Sequence, residues 1–143
     1  MEVNRIKIMK LKNQILSIEQ VQELQELGFD VKKHSSMYYL PYYNSSSYKI
    51  DGYILDTIEK NDSFNSIPTM SIGDIIEVLP EKIKTYSAIA DKELYFYLRV
   101  TKSEVIYAPL IIDDFLSCSN EDKLINILFK TLIWCIKEKH IKL

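Results

Sequence analysis

Two adjacent aspartates and one distant histidine are the side chains of this sequence best suited to catalysis. Asp113 and Asp114 lie in a predicted linker, and His34 lies in a predicted loop. Carboxylates can bind a cation, and carboxylates that converge with a histidine would form an enzyme site. Adjacent aspartates in a loop more often act as caps, and a third ligand at a suitable spacing is missing. A small enzyme with a site near these three residues is one hypothesis.

The other candidates for catalysis fit structural roles better. His140 lies in the last turn of a predicted helix, where the helix dipole favours a cation. Cys118 lies near a predicted helix start, which can lower a thiol pKa, but no histidine neighbours it in the sequence. Cys118 and Cys135 have no metal-binding spacing, and we expect both to be reduced thiols of a cytoplasmic protein. With 3 glycines in the chain, a phosphate-binding loop is not expected. The sequence therefore predicts neither a metal nor a cofactor.

A tyrosine-rich segment is the strongest candidate for a binding surface. Most of the 10 tyrosines lie in residues 35–53, mixed with serine and asparagine: Tyr38, Tyr39, Tyr42, Tyr43, Tyr48 and Tyr53. Tyrosine offers a large contact area and a hydroxyl at low entropic cost, and tyrosine with serine is typical of recognition surfaces. The alternative is a half-buried hairpin, with the rings on the core and the hydroxyls in water.

Trp134 is the second candidate contact. It projects from the predicted polar face of the C-terminal helix, with Ile127 close beside it. A tryptophan in a polar stripe is either covered by another part of its own chain or exposed to a partner. The sequence therefore leaves open a protein partner, or self-association through Trp134 and Ile127.

The element that must organise these residues is a helix predicted over residues 119–141. Ser119 is its expected N-cap, with Asp122 completing a capping box. Its apolar side chains cover about half of the circumference, so the helix needs a sheet to lie on. The alternation of Leu94, Phe96 and Leu98 with Tyr95, Tyr97 and Arg99 predicts a central strand of that sheet. Tyr95 and Tyr97 are expected on the face opposite the helix, where they extend the tyrosine surface if the first helix leaves that face uncovered. Neighbouring strands are expected over residues 82–89 and 104–108.

Two shorter helices and several irregular segments complete the prediction. Ser17 with Gln20, and Ser71 with Asp74, form capping boxes, while Gly28 and Pro80 are expected to end the two helices. The fold class is α+β: a three-stranded antiparallel meander at about 83–108, with 36–54 as a candidate extension, packed against a long C-terminal helix. Further expectations are a strand at 37–40 that Pro41 confines to an edge or ends, a turn or mobile loop at 44–47, a loop over 61–68, and an extended arm or edge strand at 1–13.

Composition restricts the class of protein. A length of 143 residues with 47% hydrophobic content fits one globular domain, 1–143. No apolar run reaches the ~18 residues of a membrane span. The net charge is -2, and the basic residues are concentrated at both ends, so the body of the chain is acidic. An acidic body is unfavourable for binding phosphate backbones, and nucleic acid is not an expected partner.

Three segments together resemble a known group of sequences. They are SIEQVQELQELGFD, IPTMSIGDIIEVLP and LINILFKTLIWCIKEK, in this order and spacing. The combination, which covers the chain from about residue 10, is similar to an uncharacterised family of short proteins from gut bacteria and their phages or other mobile elements. This resemblance implies a mobile-element origin and carries over no activity and no site residues. The leading function hypothesis is a non-enzymatic binding or accessory module that uses the tyrosine-rich segment.

Overall fold

The computed structural model describes the backbone of residues 12–41, 49–50, 53–56, 66–119 and 123–143, and the side chains of these except 41, 49–50, 53–56 and 117–119. The chain divides into two compact units, Met1–Ile75 and Ile76–Leu143, called here the N-terminal and C-terminal units. The expectations for the arm and for the turn at 44–47 concern residues outside this description, and the single domain stays a prediction.

The N-terminal unit begins with a capped helix. Helix α1, Ile18–Glu26, has Ser17 as N-cap. The Ser17 hydroxyl accepts from the Gln20 amide at 3.2 Å, and the Gln20 side chain accepts from the Ser17 amide at 2.9 Å, so the predicted capping box is confirmed. Gly28 follows with φ of 87°, a left-handed conformation that glycine adopts without strain. A short helix α2, Val31–His34, comes next, with Asp30 as N-cap.

A four-stranded antiparallel sheet completes this unit. Its strands are β1 (Met37–Pro41), β2 (Lys49–Ile50), β3 (Tyr53–Asp56) and β4 (Ile67–Thr69), in the order β2-β3-β1-β4. These strands form a sheet of their own and do not extend the meander, because β1 pairs with β3 and β4. Residues 67–68 were expected in a loop and instead belong to β4.

Strand β1 is an interior strand that ends at Pro41, so of the two predicted alternatives the edge position is wrong and the end at Pro41 is confirmed. Pro41 is tolerated there because β4 pairs only with Met37, Tyr38 and Tyr39. At Pro41 the strand therefore has a partner on one side alone, where it faces Tyr53 of β3.

A third helix follows β4. Helix α3, Ile72–Val78, begins with the predicted box: the Ser71 hydroxyl accepts from the Asp74 amide at 3.2 Å, and the Asp74 carboxylate accepts from the Ser71 amide at 2.9 Å. The same carboxylate oxygen accepts from the amide and hydroxyl of Ser36, just before β1. Asp74 thus caps a helix and holds the start of a strand.

The C-terminal unit contains the predicted meander and one further strand. Strands β5 (Lys82–Ser87), β6 (Lys92–Val100), β7 (Val105–Ala108) and β8 (Leu116–Ser119) form an antiparallel sheet in sequence order. Alternation puts one set of side chains on a buried face: Ile83, Ser87, Phe96, Val105 and Tyr107. The α+β class and the three predicted strands are confirmed.

Helix α4, Leu124–Lys137, lies against β7 and β8 on this buried face. The Tyr107 and Trp134 ring centroids are 6.2 Å apart, and the Tyr107 hydroxyl donates to the Pro80 carbonyl at 2.8 Å. The covering helix was correctly predicted, but its cap was not. Its N-cap is Lys123, and Ser119 belongs to β8, where it pairs with Val105.

The apolar surface of α4 is wider than the sequence pattern indicated. Ile127 was assigned beside the polar face, yet its side chain is fully buried. Thr131 is buried as well, and its hydroxyl donates to the Ile127 carbonyl at 2.9 Å, which satisfies the polar group inside the helix. Ile127 therefore cannot provide the proposed self-association contact.

Candidate binding surface

The loop between β7 and β8 exposes large apolar side chains. Leu110 is 73% exposed and Ile111 is 95% exposed, and Phe115 is also exposed. Folded proteins usually keep such residues apart on their surfaces, and contiguous exposed apolar groups often mark interaction sites. This loop is therefore the first component of a candidate site.

A groove connects the loop to the exposed face of the sheet. It holds about 380 Å³ and is lined by eight residues of the C-terminal unit: Lys92, Leu94, Tyr95, Tyr97, Pro109, Leu110, Ile111 and Ile112. We call it the tyrosine groove. Its lining contains two aromatic rings, five apolar side chains and one cation, and no carboxylate.

The two tyrosines of the groove lie on the sheet face opposite α4. Successive residues of β6 alternate between faces, so Tyr95 and Tyr97 point away from the buried Phe96. Their ring centroids are 6.5 Å apart, and Tyr95 is 44% exposed. The predicted position of these tyrosines, on the face opposite the helix, is confirmed.

Lysines of the neighbouring strand surround Tyr95. In the ladder, Lys84 of β5 is opposite Tyr95, and Lys82 is opposite Tyr97. The Lys82 ammonium lies 4.6 Å from the Tyr95 ring centroid and the Lys84 ammonium 5.6 Å from it. Cation–π attraction at these distances orients both ammonium groups beside the groove.

The exposed loop is anchored at both ends. The Arg99 guanidinium donates to the Pro109 carbonyl at 3.1 Å. At the other end, the Asp114 carboxylate accepts from the buried Ser87 hydroxyl at 2.8 Å. Because both anchors join the loop to the sheet, Leu110 and Ile111 are presented by a supported segment, which lowers the entropy cost of binding.

Two tyrosines of the predicted segment, Tyr38 and Tyr39, have described side chains, and neither is fully exposed. Tyr39 is buried, and its hydroxyl donates to the Leu16 carbonyl at 2.7 Å, so it must be removed from the set of binding residues. Tyr38 is half-buried. Three other predicted tyrosines, Tyr42, Tyr43 and Tyr48, lie outside the described residues. The side chain of Tyr53 is also outside the description.

Trp134 is packed mainly within its own unit. Its ring lies 6.2 Å from Tyr107 and 5.0 Å from His140, between centroids, and it is half-buried. Cover by the same chain, the alternative that the sequence left open, accounts for most of its surface. His140 has a matching structural role as the outer neighbour of the indole.

Two of the three residues of the enzyme hypothesis, His34 and Asp114, make structural contacts. His34, in the N-terminal unit, stacks on Phe29 with centroids 5.2 Å apart. Asp113 and Asp114 belong to the C-terminal unit, where Asp114 anchors the loop through Ser87. Across the described residues, no three His, Cys, Asp or Glu side chains are grouped so that they could hold a metal ion.

Cys135 is unsuited to nucleophilic chemistry. Its thiol is free and buried, and burial raises its pKa to about 11, with a smaller opposing effect of the Tyr107 hydroxyl. A raised pKa suppresses the reactive thiolate. Cys118 lies in β8, not at a helix start, and its side chain is outside the description.

Comparison with known proteins adds no identification. No protein-family model matches the chain, and no curated protein or solved structure matches it. The resemblance to a mobile-element family and the cytoplasmic location therefore stay predictions. In the part of the chain that the structure describes, no helix combines the length and apolar character needed to cross a membrane.

Proposed function

We propose that this protein is a non-enzymatic binding module that holds a protein partner in the tyrosine groove. The proposal keeps the type of surface expected from the sequence, an exposed array of tyrosines, and moves its centre from residues 38–53 to Tyr95 and Tyr97.

The observation that carries the proposal is the position of Leu110 and Ile111. These two side chains are among the most exposed large apolar residues described, and they share one groove with two tyrosines. Burying apolar area is worth about 25 cal/mol per Å², so two such side chains and two rings could anchor an interface. Tyrosine is enriched at such anchors because its ring packs while its hydroxyl finds a polar partner.

Affinity capture with matched variants tests this function. The tagged full-length chain, Ile111→Asp and Leu143→Asp are each used to capture proteins from an extract of the organism that encodes the chain. Leu143 is the control, because it is 69% exposed and does not line the groove. We expect a set of proteins that Ile111→Asp loses and Leu143→Asp keeps.

Two outcomes would reject the proposal. One is an identical set for all three proteins, which would make the groove irrelevant to binding. The other is an empty set for the unmodified chain. Circular dichroism of each variant verifies that the introduced aspartate has not unfolded the protein.

A further inference from the structure

The charges around the tyrosine groove restrict the chemistry of a partner. Lys92 is part of the lining, and the ammonium groups of Lys82 and Lys84 flank Tyr95. Arg99 lies on the same face and donates to the Pro109 carbonyl. Two acidic residues lie towards the hairpin end of this face: Glu93 pairs in register with Tyr86, and the Asp91 carboxylate accepts from the Tyr86 hydroxyl. The groove is therefore rimmed by cations, although the whole chain has a net charge of -2.

The two sides of the groove itself are mainly apolar, so they favour apolar groups of a partner and not charged ones. Tyr95 and Tyr97 provide the sheet side, and Leu110 and Ile111 provide the loop side. Contact with apolar side chains of a ligand is favourable on such a lining, which offers few hydrogen-bonding groups to a sugar or a phosphate. Lysines at the rim then favour negative charge immediately beside the apolar contacts.

Nucleic acid fits this combination less well. Its affinity comes mainly from many phosphate contacts, and the expected footprint is an extended basic face. Here the cations are few, and one of them, Lys92, shares the groove lining with Leu110 and Ile111, two exposed aliphatic side chains. A peptide that mixes carboxylates with large apolar residues satisfies both halves of the surface.

We infer that the tyrosine groove binds an acidic peptide segment of a partner protein, with apolar side chains in the groove and Asp or Glu at Lys82, Lys84 and Lys92. This inference rests on the proposed function and specifies the partner's chemistry. The lysines would mainly select the partner and its orientation, while the apolar contacts hold it.

Selection from a random-peptide display library against the immobilised full-length chain tests the inference. We expect the enriched peptides to combine Asp or Glu with Leu, Ile or Phe. One enriched peptide is then synthesised with fluorescein, and its dissociation constant is measured by fluorescence anisotropy. The double variant Lys82→Glu/Lys84→Glu should weaken binding about tenfold or more, because attraction becomes repulsion.

A second double variant controls for net charge. Lys130→Glu/Lys137→Glu makes the same change at two exposed positions of α4. It should change the dissociation constant less than about twofold, since α4 lies on the opposite face of the sheet from Tyr95 and Tyr97 and salt screens exposed charges. Equal weakening by the two double variants would overturn the assignment of the rim lysines.

The remaining outcomes separate the inference from the proposed function. Enriched peptides without acidic residues that still require Ile111 would overturn the inference and leave the binding function standing. Failure to enrich any peptide that requires Ile111 would also overturn it, and the capture experiment then decides the function separately. Labelled oligothymidylate that binds more tightly than the peptide, and loses binding in Lys82→Glu/Lys84→Glu, would assign the groove to nucleic acid.

Discussion

Asp113 and Asp114 show how adjacent identical residues acquire different roles. The Asp114 carboxylate accepts from the Ser87 hydroxyl and from the Phe115 amide, at 2.8 Å each. Ser87 is buried, so its hydroxyl depends on that acceptor, whereas Asp113 is exposed. The pair that suggested a cation site in the sequence therefore contains a loop anchor and an exposed neighbour.

Replacing Asp114 should thus cost stability. We expect Asp114→Ala to lower the free energy of unfolding by about 1 kcal/mol, because a buried hydroxyl loses its acceptor. Asp113→Ala is the matched control and should change it by less than about 0.5 kcal/mol. Urea denaturation followed by circular dichroism measures both, and equal effects would contradict the anchoring role.

The buried side chains of Cys135 and Tyr107 should make the folded protein less stable at alkaline pH. Burial is the largest cause of the raised pKa of both groups, and it raises the pKa of Cys135 from 9.0 to about 11. Over that range the folded protein holds more protons than the unfolded chain, so its stability must fall as the pH rises. Urea midpoints measured across this pH range should decrease.

The matched variant isolates the contribution of the thiol. In Cys135→Ala the decline in the urea midpoint should be shallower, because one proton-binding difference is gone. Every other side chain is the same in the two proteins, so the comparison reports the effect of removing this thiol. Parallel declines in the two proteins would show that Cys135 is not responsible.

Among the elements, the start of α3 depends most on a single side chain. Asp74 accepts from the Ser71 amide, the Ser36 amide and the Ser36 hydroxyl. Asp74→Ala should lower the free energy of unfolding by about 2 kcal/mol, since it removes a cap and a link to β1. Ser17→Ala, which removes one cap alone, should cost about 1 kcal/mol. Chemical denaturation would count against this ranking if the Ser17 variant proved the less stable one.

Local sequence patterns predicted the elements whose signals depend on near neighbours. The Ser17 and Ser71 boxes need residues three positions apart, and the β6 strand shows its alternation within nine residues. The predicted N-cap at Ser119 was wrong because a distant contact, and not the local pattern, decides the structure there. A serine followed by acidic residues satisfies a cap pattern, but pairing with Val105 across the sheet decides that it belongs to a strand.

The candidate groove could be predicted only in part. Alternation in β6 predicted that Tyr95 and Tyr97 share a face, and the structure leaves that face open. Three adjacent apolar residues after Pro109, Leu110 to Ile112, were the available signal for the loop. Their exposure depends on the distant anchors Arg99 and Ser87, which no local pattern reveals.

At the scale of the whole molecule, charge gives the sharpest distinction between partners. The chain has a net charge of -2, so it does not attract an anion over long distances, and any acidic partner is held by the local lysines. Raising NaCl from about 50 mM to about 500 mM shortens the screening length several-fold. Binding of an acidic peptide should then weaken by roughly three- to tenfold, because the rim contacts are exposed and the apolar contacts do not depend on salt.

A nucleic acid held by the same cations would respond differently. Binding that neutralises about four phosphates releases their counterions, so the same rise in salt concentration would lower the affinity roughly a thousandfold. Titration of the selected peptide at several salt concentrations therefore measures what kind of anion the groove prefers. In Lys82→Glu/Lys84→Glu the salt dependence should become much weaker or reverse, because two of the three rim lysines are replaced by carboxylates. A slope unchanged by that double variant would mean that the ionic contacts lie elsewhere on the molecule.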